Sequence, residues 1–147
     1  MSEEYRVEHR NHYSVFKTEN LSDLRKYTFA HNAIAGKVAG KLFLSQVLNC
    51  SGSIVSLNQL ESHTSLPFYH RHLKNEEIYF FIKGTGQFLI DDDCIDVYEG
   101  TAIRVSPEGV RGLTNNADEV LVYLVIQGVL NSFSLEQTIE DGRIVEM

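Results

Sequence analysis

The chain has 147 residues, enough for one domain with a substantial core, and carries a formal charge of −7. That acidity excludes partners held by a basic surface, whether nucleic acid or an anionic membrane. No stretch has the length of a membrane span, the start Met1-Ser2-Glu3-Glu4 is unlike a signal peptide, and Cys50 and Cys94 lack zinc or redox spacing.

Two free thiols suit a cytoplasmic protein. Residues 1–20 are polar and charged and read as an arm or poorly ordered start. The organisation expected is an N-terminal extension over 1–30 and a single domain over 31–147. Residues 27–34 are mildly strand-like, and Gly36 and Gly40 suggest a bend. Apolar residues at 42, 43, 44, 47 and 48 predict one short helix over 41–49.

From residue 53 the pattern becomes that of strands. Residues 53–60 alternate aliphatic with small polar side chains, so Ser56, Asn58 and Leu60 share one face. Residues 77–82 are aromatic and β-branched, as strands prefer. Strands 87–90 and 94–98 flank Asp91-Asp92-Asp93, a hairpin signal because Asp tolerates left-handed backbone. Further strands are predicted at 101–105, 111–114 and 120–127, the last with Tyr123, Val125 and Gln127 on one face. Residues 140–145 read as a surface hairpin or strand. Short strands separated by Gly, Asp and Pro indicate an all-β sandwich or barrel.

The segment His70-Arg71-His72-Leu73-Lys74-Asn75-Glu76-Glu77 carries the chemistry. Two histidines two residues apart in extended chain point to the same side, and a carboxylate beyond a short turn can reach the space between them. Two imidazoles and a carboxylate are a common ligand set for a divalent transition metal. Phase favours Glu77 over Glu76: with Glu77 inward, Tyr79 and Phe81 are inward too, and Glu76 faces out. His31 and His63 are isolated and read as exposed or hydrogen-bonded residues.

The spacing His70-x-His72-x4-Glu77-x6-Gly84 closely resembles the first signature motif of the cupin superfamily, and the resemblance covers roughly residues 52–128. Pro67 fits it, whereas Thr64 stands where the motif opens with glycine. Counted from Gly100, the second cupin motif would place Ser106 at its proline, Glu108 at its glycine, Arg111 at its histidine and Asn115 at its asparagine. The histidine that completes the family's metal shell is therefore replaced by arginine.

The resemblance implies a double-stranded β-helix (jelly-roll) barrel. It also implies iron, nickel, manganese or zinc bound by His70, His72 and Glu77. Arg111 cannot be a ligand, because guanidinium stays protonated and has no free lone pair. It either binds the oxyanion of a substrate or pairs with Glu77 and fills the metal's place. Tyr79, Asn58, Tyr123 and Gln127 are candidates for lining a substrate pocket, and open sheet edges suggest a homodimer. The function expected is a metal-dependent enzyme, dioxygenase- or isomerase-like, acting on a small anionic metabolite. The alternative is a non-catalytic small-molecule-binding cupin with a degenerate metal site.

Overall fold

A computed structural model describes residues 6–33, 35–134 and 139–147. Among these, β1 (Val7–His9) and β2 (Ser14–Phe16) form a hairpin, and a 3-10 turn covers Leu24–Lys26. β3 (Thr28–Ala30) pairs with β4 (Lys37–Ala39), and β5 (Lys41–Phe43) runs directly into helix α1 (Leu44–Val47). The barrel strands follow: β6 (Ile54–Leu60), β7 (Thr64–Ser65), β8 (Asn75–Lys83), β9 (Thr85–Ile90) and β10 (Asp93–Tyr98). β11 (Ala102–Val105), β12 (Arg111–Asn115) and β13 (Leu121–Val129) complete them.

The barrel strands make two antiparallel sheets, a larger one in the order β11-β8-β13-β6-β5 and a smaller one in the order β10-β9-β12-β7. Alternation decides what lies between them. Tyr79 and Phe81 of β8, Phe88 of β9, Val97 of β10, Leu113 of β12 and Leu121, Tyr123 and Val125 of β13 form the shared core. Phe88 anchors it, with its ring 4.8 Å from that of Tyr79 and 6.5 Å from that of Phe81. Phe81 and Phe88 are fully buried, and burial of such a ring contributes about 3 kcal/mol. The turn from β8 to β9 needs Gly84 at φ 85°, because a Cβ there would strike the Val120 carbonyl.

A second apolar layer explains why Ser56–Leu60 of β6 is buried without alternation. Leu57 and Val122 face away from the barrel interior and are covered by Leu24, Tyr27 and Leu42. Gln59 fastens this cover by accepting a hydrogen bond from the Leu24 amide at 2.7 Å.

Four expectations change. From residue 6 onward the arm contains the β1–β2 hairpin, while residues 1–5 lie outside the described residues. The helix predicted over 41–49 is reduced to α1, because Lys41–Phe43 finds β6 as a partner and extends instead. Residues 140–145 form no strand; Ile144 and Val145 are exposed, and no strand among the described residues pairs with their backbone. The strand over 27–34 is shortened to β3, and residue 34 lies outside the described residues. The Asp hairpin stands as expected, with Asp91 at φ 50° and Asp93 facing Ile90 in the β10–β9 register.

Candidate metal centre and its cavity

His70 and His72 lie in extended chain between β7 and β8, laid along the β12 side of the barrel. His70 and Arg111 exchange backbone hydrogen bonds at 3.1 and 3.0 Å, and the His72 amide donates to the Pro107 carbonyl at 2.8 Å. Anchored at both residues, the segment turns the two imidazoles to one side, with ring centroids 5.2 Å apart. β8 presents Glu77 to them from the opposite sheet. Ligand atoms of His70, His72 and Glu77 all lie within 4.8 Å of one another.

The strand phase separates the two adjacent glutamates. Glu77 is 3% exposed and points inward with Tyr79 and Phe81. Glu76 faces outward and binds Arg104 of β11, each of whose Nε and Nη2 lies 2.8 Å from Oε2.

Four polar groups surround one oxygen of Glu77. Tyr79 donates its hydroxyl to Oε1 at 2.9 Å, and Arg111 Nη2 lies 3.0 Å away. His72 Nε2 is at 3.2 Å and His70 Nε2 at 3.6 Å. Neither His72 Nε2 nor Arg111 Nη2 makes a well-directed hydrogen bond, and the guanidinium is held to the carboxylate by its charge. Burial acts to raise the Glu77 pKa. Contacts from His70 and His72, the charge of His72 and the Tyr79 hydroxyl outweigh it and hold the carboxyl well below the ordinary range. Burial and the Glu77 charge push the Tyr79 phenol far up, and Tyr123 is raised for the same two reasons. Both phenols are therefore neutral and able to donate.

Of the two positions open to Arg111, the structure has the one against Glu77. Its side chain is 1% exposed, and Nη1 donates to the carbonyls of Gly109 at 2.5 Å and Pro107 at 3.4 Å. It is not among the described residues lining the cavity, so its expected part in binding a substrate oxyanion has no support in this arrangement. Asn115, from the same motif, is also structural. Its Nδ2 donates to the carbonyls of Leu60 and Glu119.

The cavity in front of the centre has a volume of about 670 Å³. Asn58, Tyr79, Tyr123 and Gln127 all line it, as do His70, His72 and Glu77. Gln127 accepts from Asn75 Nδ2 at 3.0 Å. The sequence reading missed Lys41, which also lines the cavity; β5 places it opposite Asn58 in the β6 register. Reading that segment as helix concealed the pairing, although the charge isolated among Leu42, Phe43 and Leu44 was visible. His63 is an exposed partner of Asp118 at 2.6 Å, away from the cavity.

The donor chemistry suits a divalent ion: two imidazoles and an ionised carboxylate converge, and His72 Nε2 is buried without a directed partner. The guanidinium beside Glu77 opposes it with a competing positive charge.

No family model and no curated protein matches the sequence. Solved structures do. A cupin protein from Bacteroides fragilis is 31% identical, with a TM-score of 0.68, over 80% of this chain and 100% of its own. A protein described as a predicted oxalate decarboxylase from Thermotoga maritima is 18% identical, with a TM-score of 0.56, over 65% of this chain and 83% of its own. A sugar phosphate isomerase from Silicibacter pomeroyi is 19% identical, with a TM-score of 0.55, over 60% of this chain and 59% of its own. The two more distant likenesses concern the double-stranded β-helix alone. Through the first, together with the His70, His72, Glu77 and Gly84 spacing, the chain belongs to the cupin superfamily.

Proposed function

We propose that this cupin holds a divalent transition metal through His70, His72 and Glu77 and acts on a small anionic metabolite. Iron, nickel, manganese and zinc all suit such a ligand set. The observation that carries the reading is the convergence of the three ligand atoms within 4.8 Å at the cavity. The ion would supply Lewis acidity or oxygen activation, the chemistry of an isomerase-like or dioxygenase-like reaction.

The chain's own residues have separate tasks. Tyr79 holds Oε1 of Glu77 by donating to it, which fixes the carboxylate's orientation. Tyr123, neutral and on the cavity wall, can donate to a ligand oxygen. Phe29, Phe43 and Phe68 on the remaining wall exclude water from the ligand's apolar part.

Loading the purified protein with each of the four metals and measuring bound ion tests the reading. About one ion per chain is expected, and a His70→Ala/His72→Ala double variant should lose it. Equal metal content in the wild type and the double variant sinks the proposal.

The Arg111–Glu77 contact favours a second reading, a cupin that binds a small molecule without turning it over. Ligand-induced thermal stabilisation with no turnover under any metal would select it. The exposed Ile78 and Phe80 on the outer face of the larger sheet support a homodimer. A monomer mass by light scattering at high concentration refutes that assembly.

A further inference from the structure

We infer that Lys41 recognises the anionic group of the cavity's ligand, taking a small molecule that bears a carboxylate or phosphate oxyanion. Gly40, with φ 84° and no Cβ, lets β5 close against the Gln59 carbonyl. The next residue, Lys41, is thereby paired with Asn58 and turned toward the cavity with Phe43, two positions on.

The ammonium is held, but only by neutral groups. Nζ donates to Asn58 Oδ1 at 2.9 Å and to Ser56 Oγ at 3.1 Å, and it lies 5.0 Å from the centroid of the Phe43 ring. Asn58 is itself fixed in the accepting orientation. Its Nδ2 donates to Ser56 Oγ and to the Ser56 and Tyr123 carbonyls, which leaves Oδ1 for the lysine. An ammonium has three donors, and these two partners take two of them.

Among the described residues no carboxylate is in ion-pair contact with Nζ. The acidic group whose charge it feels is Glu77, already surrounded by Tyr79, Arg111, His72 and His70. A half-buried cation without a contact countercharge carries a desolvation cost, and the cavity in front of Lys41 is where a ligand oxyanion offsets it. Arg111 cannot take this part, since Glu77 and two carbonyls occupy it. Phe29 and Phe43, in edge contact at 5.3 Å, give an apolar surface beside the ammonium. A compact organic anion with an apolar body suits both.

The inference rests on reading the cavity as a ligand site but not on the metal. Calorimetric titration with benzoate and with inorganic phosphate tests it, using the wild type, Lys41→Met, Lys41→Arg and Lys37→Met. Lys37 is an exposed cation of β4 outside the cavity lining. Thermal unfolding establishes that each variant is folded, and nickel uptake is measured in parallel. The wild type should bind at least one probe, and a preference between them assigns the oxyanion. Lys41→Met should weaken binding by about tenfold or more, while Lys41→Arg and Lys37→Met retain it and nickel uptake is unchanged. If the wild type takes up no nickel yet Lys41→Met loses anion binding, the metal reading fails and this one stands. Equal affinity in the wild type and Lys41→Met, or no binding of either probe by the wild type, overturns it.

Discussion

Arg111 Nη2 lies 3.0 Å from Glu77 Oε1, and both side chains are almost wholly buried. The pair joins the start of β12 to the inward face of β8, and so ties the smaller sheet to the larger one across the candidate metal centre. Breaking a buried pair on one side leaves the other charge uncompensated. Arg111→Leu should therefore destabilise the fold by about 3–5 kcal/mol, measured by urea unfolding. A loss below about 1 kcal/mol would assign the contact the weight of an exposed pair.

The same guanidinium sets the metal affinity. It places a positive charge beside the oxygen that would bind the ion, at the motif position where the fourth ligand, a third imidazole, would stand. Arg111→His removes that charge and adds a ligand, so it should tighten nickel or zinc binding by about tenfold or more, read by competition with a chelator. An unchanged affinity would show that the residue does not face the ion.

Acid should act through Glu77. Its pKa in the folded protein is held below the ordinary value of 4.5, so the unfolded chain takes up the proton first as pH falls. The stabilisation is present in full above that ordinary value and is lost as pH falls below it. Glu77→Gln should lack this component, which appears as a flatter dependence of Tm on pH in acid. A variant with the same acid slope as the wild type would place the responsible group elsewhere.

Lys41 works in the opposite pH range. Burial lowers its pKa from 10.5 to about 8, with Glu77 partly offsetting the shift. Below pH 8 the amine is charged in both states and the folded protein bears the full desolvation cost. Between pH 8 and 10.5 the folded state sheds its proton first, and stability rises relative to a variant without the amine. A wholly sequestered amine would contribute about 3 kcal/mol; because Lys41 is half-buried, about 1–2 kcal/mol is expected. Lys41→Met should be more stable than the wild type at pH 7 by that amount and equal to it near pH 10.5. A pH-independent difference contradicts the assignment.

The legible parts of the site were those governed by local phase. His70 and His72 share a side because extended chain alternates, and Glu77 rather than Glu76 faces them because it is in phase with Tyr79 and Phe81. The Asp91 turn was readable for a similarly local reason, the tolerance of Asp for positive φ. Lys41 was not, since its partners Ser56 and Asn58 lie 15 and 17 residues away and reach it only through β5–β6 pairing. The position of Arg111 was equally beyond local pattern. It depends on a competition among Glu77, the Pro107 and Gly109 carbonyls and the cavity, which only the folded chain resolves. The β1–β2 hairpin escaped notice because His9, Arg10 and Asn11 give a polar run with no alternation to mark it.

Anomalous diffraction from crystals of the nickel-loaded protein would show whether His70, His72 and Glu77 hold the ion. A peak is expected within about 2–2.3 Å of ring nitrogens of His70 and His72 and a carboxylate oxygen of Glu77. No peak at that centre, with the Arg111 guanidinium still seated against Glu77, would contradict it.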